Sequence, residues 1–117
     1  MISGNVGSQT FTSESVSTGD SFIHAVKCAG NGAVWPRGAV LIRATAAGNY
    51  APLATLPADD GYLLAVLNDE LETTTETTIG ATAVVMGGVK LAALTVGGNA
   101  PSVDVLFALE RQRIFPR

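Results

Sequence analysis

The sequence predicts one mainly β domain with a helix near its C-terminus and a polar N-terminal arm. Short apolar runs recur between Gly- and Asn-containing breaks from residue 22 onward. The apolar spacing changes to a helical period only after residue 100. Nine of the first 21 residues are Ser or Thr. We therefore expect a β-rich α+β fold, a small β-barrel or sandwich (β-tulip-like), with residues 1–21 as the arm and 22–117 as the folded domain.

Residues 1–21 are too polar to fold by themselves. Their few apolar residues stand far apart, so the segment cannot bury enough surface to offset the entropy of ordering it. The Thr- and Phe-containing stretch Gln9–Ser13 would pair as a strand if another sheet offered its edge. Two interpretations stay open here: a terminus without fixed structure, and an arm that orders on a partner.

The first predicted strand is Phe22–Cys28, and the Gly30-Asn31-Gly32 that follows signals a turn. Trp35 precedes Pro36 and is therefore biased to an extended conformation, which suits the entry to a strand. A β-hairpin is then predicted over residues 36–53. Its apolar first strand is joined to a second by a tight turn at 47–49, where Gly and Asn tolerate positive φ.

The middle of the chain predicts further strands. Tyr62–Leu67 is a continuous apolar run between polar loops, and its length favours a strand buried on both faces, while periodicity alone also allows a helix. Glu72–Thr78 is polar and predicts an exposed loop. We then expect a strand over Ile79–Met86, a tight turn at Gly87-Gly88 and another short strand over Val89–Leu94.

A helix is predicted after Pro101, which suits a first-turn position, with Asn99 or Ala100 as its cap. An acidic residue near its start and arginines near its end agree with the helix dipole. The apolar residues that fall at helical spacing are Val103, Leu106, Phe107 and Ile114.

The composition limits the classes of function that the chain could have. The 117 residues carry a formal net charge of −3, which does not favour binding to nucleic acid, since that affinity rests on Lys and Arg. Only 15% of the residues are charged, so we expect partners to cover part of the surface. A single cysteine cannot form a disulfide within the chain. We find no leader pattern and no apolar stretch near the ~20 residues of a membrane span, so no membrane partner is expected.

No motif points to catalysis. His24 and Cys28 would pair on a helix, but this stretch predicts a strand, and one His and one Cys cannot build a metal site. Asp59-Asp60 precede Gly61 and indicate a turn rather than two catalytic carboxylates. We expect no enzyme, no cofactor and no metal.

The aromatic residues allow two interpretations. They would form a stacking surface for a sugar or single-stranded nucleic acid, or pack in the core or a subunit interface. No basic groove accompanies them, which favours packing. They are Trp35, Tyr50 and Tyr62.

Four motifs follow one another along the chain: WPRGAVLIRATAAGNYAPL, DDGYLLAVLNDEL, TAVVMGGVKLAAL and a closing helix ending RQRIF. Their order and spacing, over residues 34–115, resemble the lambda-type head decoration proteins of tailed bacteriophages. That family has a Pro/Arg-Gly-x-x-Leu strand with a Gly turn and an aromatic residue, an apolar run, a Val-rich strand and a C-terminal helix. Leu64–Leu67 departs from the pattern, because the family usually has a Gly inside this run.

The resemblance implies a homotrimer on the outer surface of the phage head, made in the cytoplasm of the bacterial host. It would sit at three-fold and quasi-three-fold positions and clamp neighbouring major capsid proteins after the shell expands. Its N-terminal arm would add a strand to capsid segments. By position, the capsid-binding arm residues are Thr10, Phe11, Thr12, Ser13 and Val16. The candidate trimer or capsid contacts are Trp35, Pro36 and Arg37.

Two other classes remain as alternatives. A fibre, head fibre or other virion structural domain would trimerise through a longer stalk, which this sequence lacks. A small ligand-binding β module would need a concave, aromatic-lined pocket.

Overall fold

The computed structural model describes residues 16–44, 48–59, 61–75 and 78–117. These form eight β-strands, one α-helix and a 3₁₀ turn at Leu91–Ala93, and they confirm the mainly β fold with one helix near the C-terminus. The elements are β1 (Phe22–Cys28), β2 (Val34–Trp35), β3 (Val40–Arg43), β4 (Ala51–Pro52), β5 (Leu63–Leu67), β6 (Leu71–Glu72), β7 (Ile79–Val89), α1 (Val103–Arg111) and β8 (Ile114–Pro116).

The main sheet has the order β1-β7-β5-β3-β4, with antiparallel pairing throughout. β8 adds a parallel strand beside the end of β7, and β2 and β6 form a separate two-stranded ribbon. The first and last strands of the sheet approach each other at one end. There the Tyr50 amide donates to the Lys27 carbonyl and the Ala29 amide donates to the Tyr50 carbonyl, both at 2.8 Å. The sheet therefore curls towards a barrel and closes at that end.

Strand β5 is buried on both faces from Leu64 to Leu67, as predicted for its continuous apolar run. Successive β5 side chains alternate between two cores because the side-chain period of a strand is two. The helix-side core contains Val16, Val40, Leu53, Tyr62, Leu64, Val66, Val84, Val89, Leu94, Val105, Ala108, Leu109 and Ile114. The inner core contains Cys28, Trp35, Ala39, Leu41, Tyr50, Ala65, Leu67 and Ala83.

The predicted hairpin is present as β3 and β4. Leu41 lies opposite Pro52 in this ladder. The link between the two strands runs over residues 44–50 and is therefore longer than the tight turn that was predicted. Ala47 of that predicted turn lies outside the described residues.

Gly87 and Gly88 do not form the predicted turn, because both lie inside the eleven-residue strand β7. Gly87 has φ +102°, and a Cβ there would collide with the backbone oxygen of Asp20. The glycines let the segment before β1 approach one side of β7 while β8 pairs on the other. The strand predicted over Val89–Leu94 is also wrong, since β7 ends at Val89 and the 3₁₀ turn follows.

The first residues of the predicted exposed loop at 72–78 belong to a strand or are buried. Glu72 belongs to β6 and lies opposite Val34 of β2. Thr73 is buried, and its hydroxyl donates to the Ala33 carbonyl at 2.6 Å. This hydrogen bond ties the start of the polar stretch to the β2–β6 ribbon.

The helix starts later than predicted. Ser102 is the N-cap of α1, and its hydroxyl accepts from the Val105 amide at 3.5 Å. Neither predicted cap residue has this role. Asn99 instead pairs with Val96 across a turn at 97–98, in which both glycines have positive φ.

The apolar residues at helical spacing do not all face the core. The buried residues of α1 are Val105, Ala108 and Leu109. Val103 is 62% exposed and Phe107 is 55% exposed, on the opposite side of the helix. Leu106 is partly buried, and the buried Ile114 belongs to β8.

Candidate functional site

The N-terminal arm joins the folded domain at the end of β7. The predicted capsid-binding residues at positions 10–13 lie outside the described residues. Val16, the fifth, is fully buried in the helix-side core. Its carbonyl accepts from the Lys90 amide at 2.8 Å, and the Thr18 amide donates to the Gly88 carbonyl at 3.2 Å. The last part of the predicted arm, residues 16–21, therefore packs on the folded domain.

Both ends of the described chain are fixed at this place. The Ser21 hydroxyl donates to the Gly88 carbonyl at 2.8 Å, and the Arg117 amide donates to the Val89 carbonyl at 2.9 Å. Arg117 also pairs with Asp20 at 2.9 Å. A hydrogen bond from the Thr18 hydroxyl, together with the Arg117 charge, lowers the pKa of Asp20.

The three predicted contact residues differ in exposure. The Trp35 side chain is buried in the inner core, and its indole N–H donates to the Asn31 Oδ1 at 3.0 Å. Pro36 and Arg37 are exposed. Trp35 and Pro36 line a groove of about 250 Å³ beside Pro52. A trimer or capsid contact here stays a prediction, and Pro36 and Arg37 are its accessible members.

The three aromatic residues weighed as a stacking surface are core residues. Trp35 and Tyr50 belong to the inner core and Tyr62 to the helix-side core. Each is at most 7% exposed, so their rings do not offer a surface on which bases or sugars would stack.

Large apolar side chains are exposed at several places on the domain. Val103 and Phe107 lie one turn apart on the outer side of α1, and we call them the helix apolar pair. On the sheet, Phe22 is 60% exposed and lies opposite Met86 in the β1–β7 ladder. Among the described residues, the full set of exposed large apolar side chains is Phe22, Ile23, Val34, Leu63, Met86, Leu91, Val103, Phe107 and Phe115.

The residues considered for chemistry are not assembled into a catalytic group. His24 and Cys28 both lie on β1, where four residues separate them by about 13 Å. Cys28 is buried, and burial raises the pKa of its thiol. Asp59 accepts from the Gly61 amide at 3.3 Å, as in an Asx turn, while Asp60 lies outside the described residues.

Two searches of the described residues were negative. None of the described His, Cys, Asp and Glu side chains come together in groups of three or more that would hold a metal ion. No helix in the described part of the chain has the length and apolar character needed to cross a membrane.

A scan against protein-family models and searches of curated proteins and of solved structures gave no match.

Sequence reasoning missed the exposure of the helix apolar pair. A second apolar set at i, i+3 and i+4 was available in Val105, Ala108 and Leu109. The small alanine in that set makes it less conspicuous than one containing phenylalanine. Sequence reasoning also missed that His24, Lys27 and Arg43 line one pocket, because they lie on two strands that are not adjacent in the chain.

Proposed function

We propose that this chain is a capsid decoration protein. It assembles as a homotrimer on the outside of a phage head and clamps neighbouring major capsid proteins of the expanded shell. The N-terminal arm binds by adding a strand to capsid segments, and Phe11 is its apolar anchor. Many copies around the shell add their weak contacts through multivalency.

The observation that carries this proposal is the exposed apolar surface of a chain with few charges. Two cores are already buried within the domain, yet large apolar side chains remain exposed on the helix and along β1. Exposed apolar groups of this size are typical of surfaces that bind other proteins. Contacts between subunits and with the shell would cover them.

The order of the chain elements also supports the proposal. A mainly β domain with one helix near its C-terminus is the fold that the motif resemblance implies. The arm of residues 1–15 joins this domain at Val16, which is held in the core. An arm anchored so firmly would transmit a capsid contact directly to the folded domain.

The test is co-sedimentation with empty shells of the phage that encodes the chain. Unexpanded and expanded shells are each mixed with the full chain and with a chain lacking residues 1–15. Phe11→Ser tests the apolar anchor, and Ile2→Ser is its matched control elsewhere in the arm. We expect the full chain and the Ile2→Ser variant to bind expanded shells only. The truncated chain and the Phe11→Ser variant should bind weakly or not at all.

The alternatives give different results. Binding that survives the truncation would keep decoration but move the contacts to the folded domain, with the helix apolar pair as the next site to test. Absence of binding to either shell by the full, folded chain would overturn decoration and favour a fibre domain or a ligand-binding module.

A further inference from the structure

A pocket of about 590 Å³ lies in the gap where the curled sheet does not close, between β1 and the β3–β4 hairpin. Three basic side chains line it: His24 and Lys27 from β1, and Arg43 from the end of β3. None of the described residues that line it is acidic. The pocket therefore concentrates positive charge on a chain whose net charge is negative.

Arg43 is incompletely satisfied in this pocket. Its Nε atom is buried and has no hydrogen-bond partner within the described part of the chain. Its guanidinium carbon lies 5.5 Å from the centre of the Tyr50 ring, within range of a cation–π contact. Burial raises the pKa of the Tyr50 hydroxyl, so this group supplies no negative charge to the arginine at neutral pH. Arginine binds carboxylates through charge-assisted hydrogen bonds, so Arg43 is the residue of this pocket best suited to hold an anion.

The other residues that line the pocket indicate which chemical groups the bound anion would have besides its charge. Val26, Tyr50 and Val85 provide apolar walls. Asn49 and Thr78 also line the pocket, and they are joined by a hydrogen bond of 3.1 Å from the Asn49 amide to the Thr78 hydroxyl. A small inorganic ion would satisfy the cations but leave these walls without contact. A carboxylate on a short carbon chain would use both.

We propose that this pocket binds an organic carboxylate. The carboxylate pairs with Arg43, the exposed Lys27 adds positive charge, and the carbon chain packs against the partly buried Val26 and Val85. This inference does not depend on capsid binding, and the two are tested separately.

Two sources would supply the same chemistry. One is a free small carboxylate. The other is an acidic side chain of a second copy of this chain, since six of its ten acidic residues fall between positions 59 and 76. Within that stretch Asp69, Glu70 and Glu72 are exposed.

The experiment is titration calorimetry of the full chain at low ionic strength with three probes. Glutarate represents the free carboxylate, a capped peptide of residues 67–73 represents the second copy, and inorganic phosphate tests for an anion without a carbon chain. The variants are Arg43→Gln and Lys27→Gln. Arg111→Gln is the control, because it removes an exposed cation outside the pocket. Circular dichroism verifies that each variant folds.

We expect glutarate or the peptide to bind more tightly than phosphate. Loss of a charge-assisted hydrogen bond predicts affinity about tenfold weaker or worse in Arg43→Gln. Lys27→Gln, whose side chain is exposed, should weaken binding less, and Arg111→Gln should leave it unchanged. Tighter binding of the peptide than of glutarate assigns the carboxylate to a second copy, and the reverse assigns it to a free ligand.

Three results would overturn the inference. The first is that no probe binds. The second is that phosphate binds at least as tightly as both glutarate and the peptide. The third is that the Lys27→Gln and Arg111→Gln proteins bind the carboxylate probes with equal affinity. Lys27→Gln keeps the test decisive if Arg43→Gln does not fold, because an exposed lysine contributes little to stability.

Discussion

Gly38 lies at a position where only glycine fits. Its φ is +89°, and a Cβ would collide with the backbone carbonyl of Ala93. We predict that Gly38→Ala lowers the free energy of unfolding by about 3 kcal/mol, because left-handed strain and a backbone clash add together. Urea unfolding followed by circular dichroism measures this.

The matched control for that substitution is Gly80→Ala. Gly80 lies in β7, its φ is not in the left-handed region, and a Cβ at this position would have no heavy atom within 4 Å. The control should change stability by less than about 0.5 kcal/mol. Equal loss in both variants would contradict the packing described around Gly38.

Cys28 is predicted to be unreactive in the folded protein. The thiol is fully buried, and burial raises its pKa, so little thiolate forms at neutral pH. Iodoacetamide should modify it only as fast as the protein unfolds, and urea should accelerate the reaction. A Cys28→Ala, Thr82→Cys double variant moves the thiol to an exposed position of β7 and should react without urea. Rapid labelling of the native chain would show that the inner core opens locally.

The raised pKa of Cys28 also sets a direction for pH dependence. The protonated thiol is favoured in the folded state, so its contribution to stability is complete below the unfolded value of 9.0. The contribution is lost as pH rises through the folded value. Between 9.0 and the raised folded value, stability should therefore fall more steeply with pH in the native chain than in Cys28→Ala, as measured by urea unfolding at a series of pH values.

At the scale of elements, strand positions were predictable from local signals, while strand ends and pairing partners were not. The β5 strand follows directly from a continuous apolar run between polar loops. Gly87-Gly88 was interpreted as a turn because glycine pairs usually mark turns. Their actual reason is the close approach of residues far away in sequence, such as Asp20, which local spacing does not contain.

The helix provides a test of which face is buried. Leu109 is fully buried and Phe107 is 55% exposed on the other side. We predict that Leu109→Ala lowers the free energy of unfolding by about 3 kcal/mol. Phe107→Ala should change it by less than about 0.5 kcal/mol in dilute protein. Urea unfolding of both variants at one low protein concentration makes the comparison.

The reverse order of the two effects would contradict the burial described for α1. Under the proposed trimer, a cost of Phe107→Ala that grows with protein concentration would instead place Phe107 in a subunit contact. Sedimentation equilibrium of the same samples separates these results, because a trimer has three times the 12.0 kDa of the chain.

At the scale of the whole molecule, the sequence predicted the fold class but not the candidate pocket. The barrel-like closure depends on Tyr50 meeting Cys28 across residues that no short motif connects. That closure also brings residues of β1 and β3, among them Lys27 and Arg43, to the lining of one pocket. Pairing between distant segments is fixed by total burial and register, so single motifs carry little information about it.

The boundary between arm and domain gives the last prediction. Residues 1–15 are polar with few, widely spaced apolar residues, so we expect their deletion to change the free energy of unfolding by less than about 0.5 kcal/mol. Deleting residues 1–21 also removes Val16 from the core and its hydrogen bond with Lys90. That deletion should cost about 3 kcal/mol, and Val16→Ala about 2 kcal/mol, because each leaves a cavity.

Urea unfolding of the three variants beside the full chain measures these differences. Equal stability of the two truncations would contradict the anchoring of residues 16–21, and a large loss on deleting only 1–15 would assign that segment to the fold. The result also decides how capsid binding is interpreted. If residues 16–21 hold the domain together, failure of the longer truncation to bind shells would reflect unfolding, and only the shorter truncation tests the arm as the capsid contact.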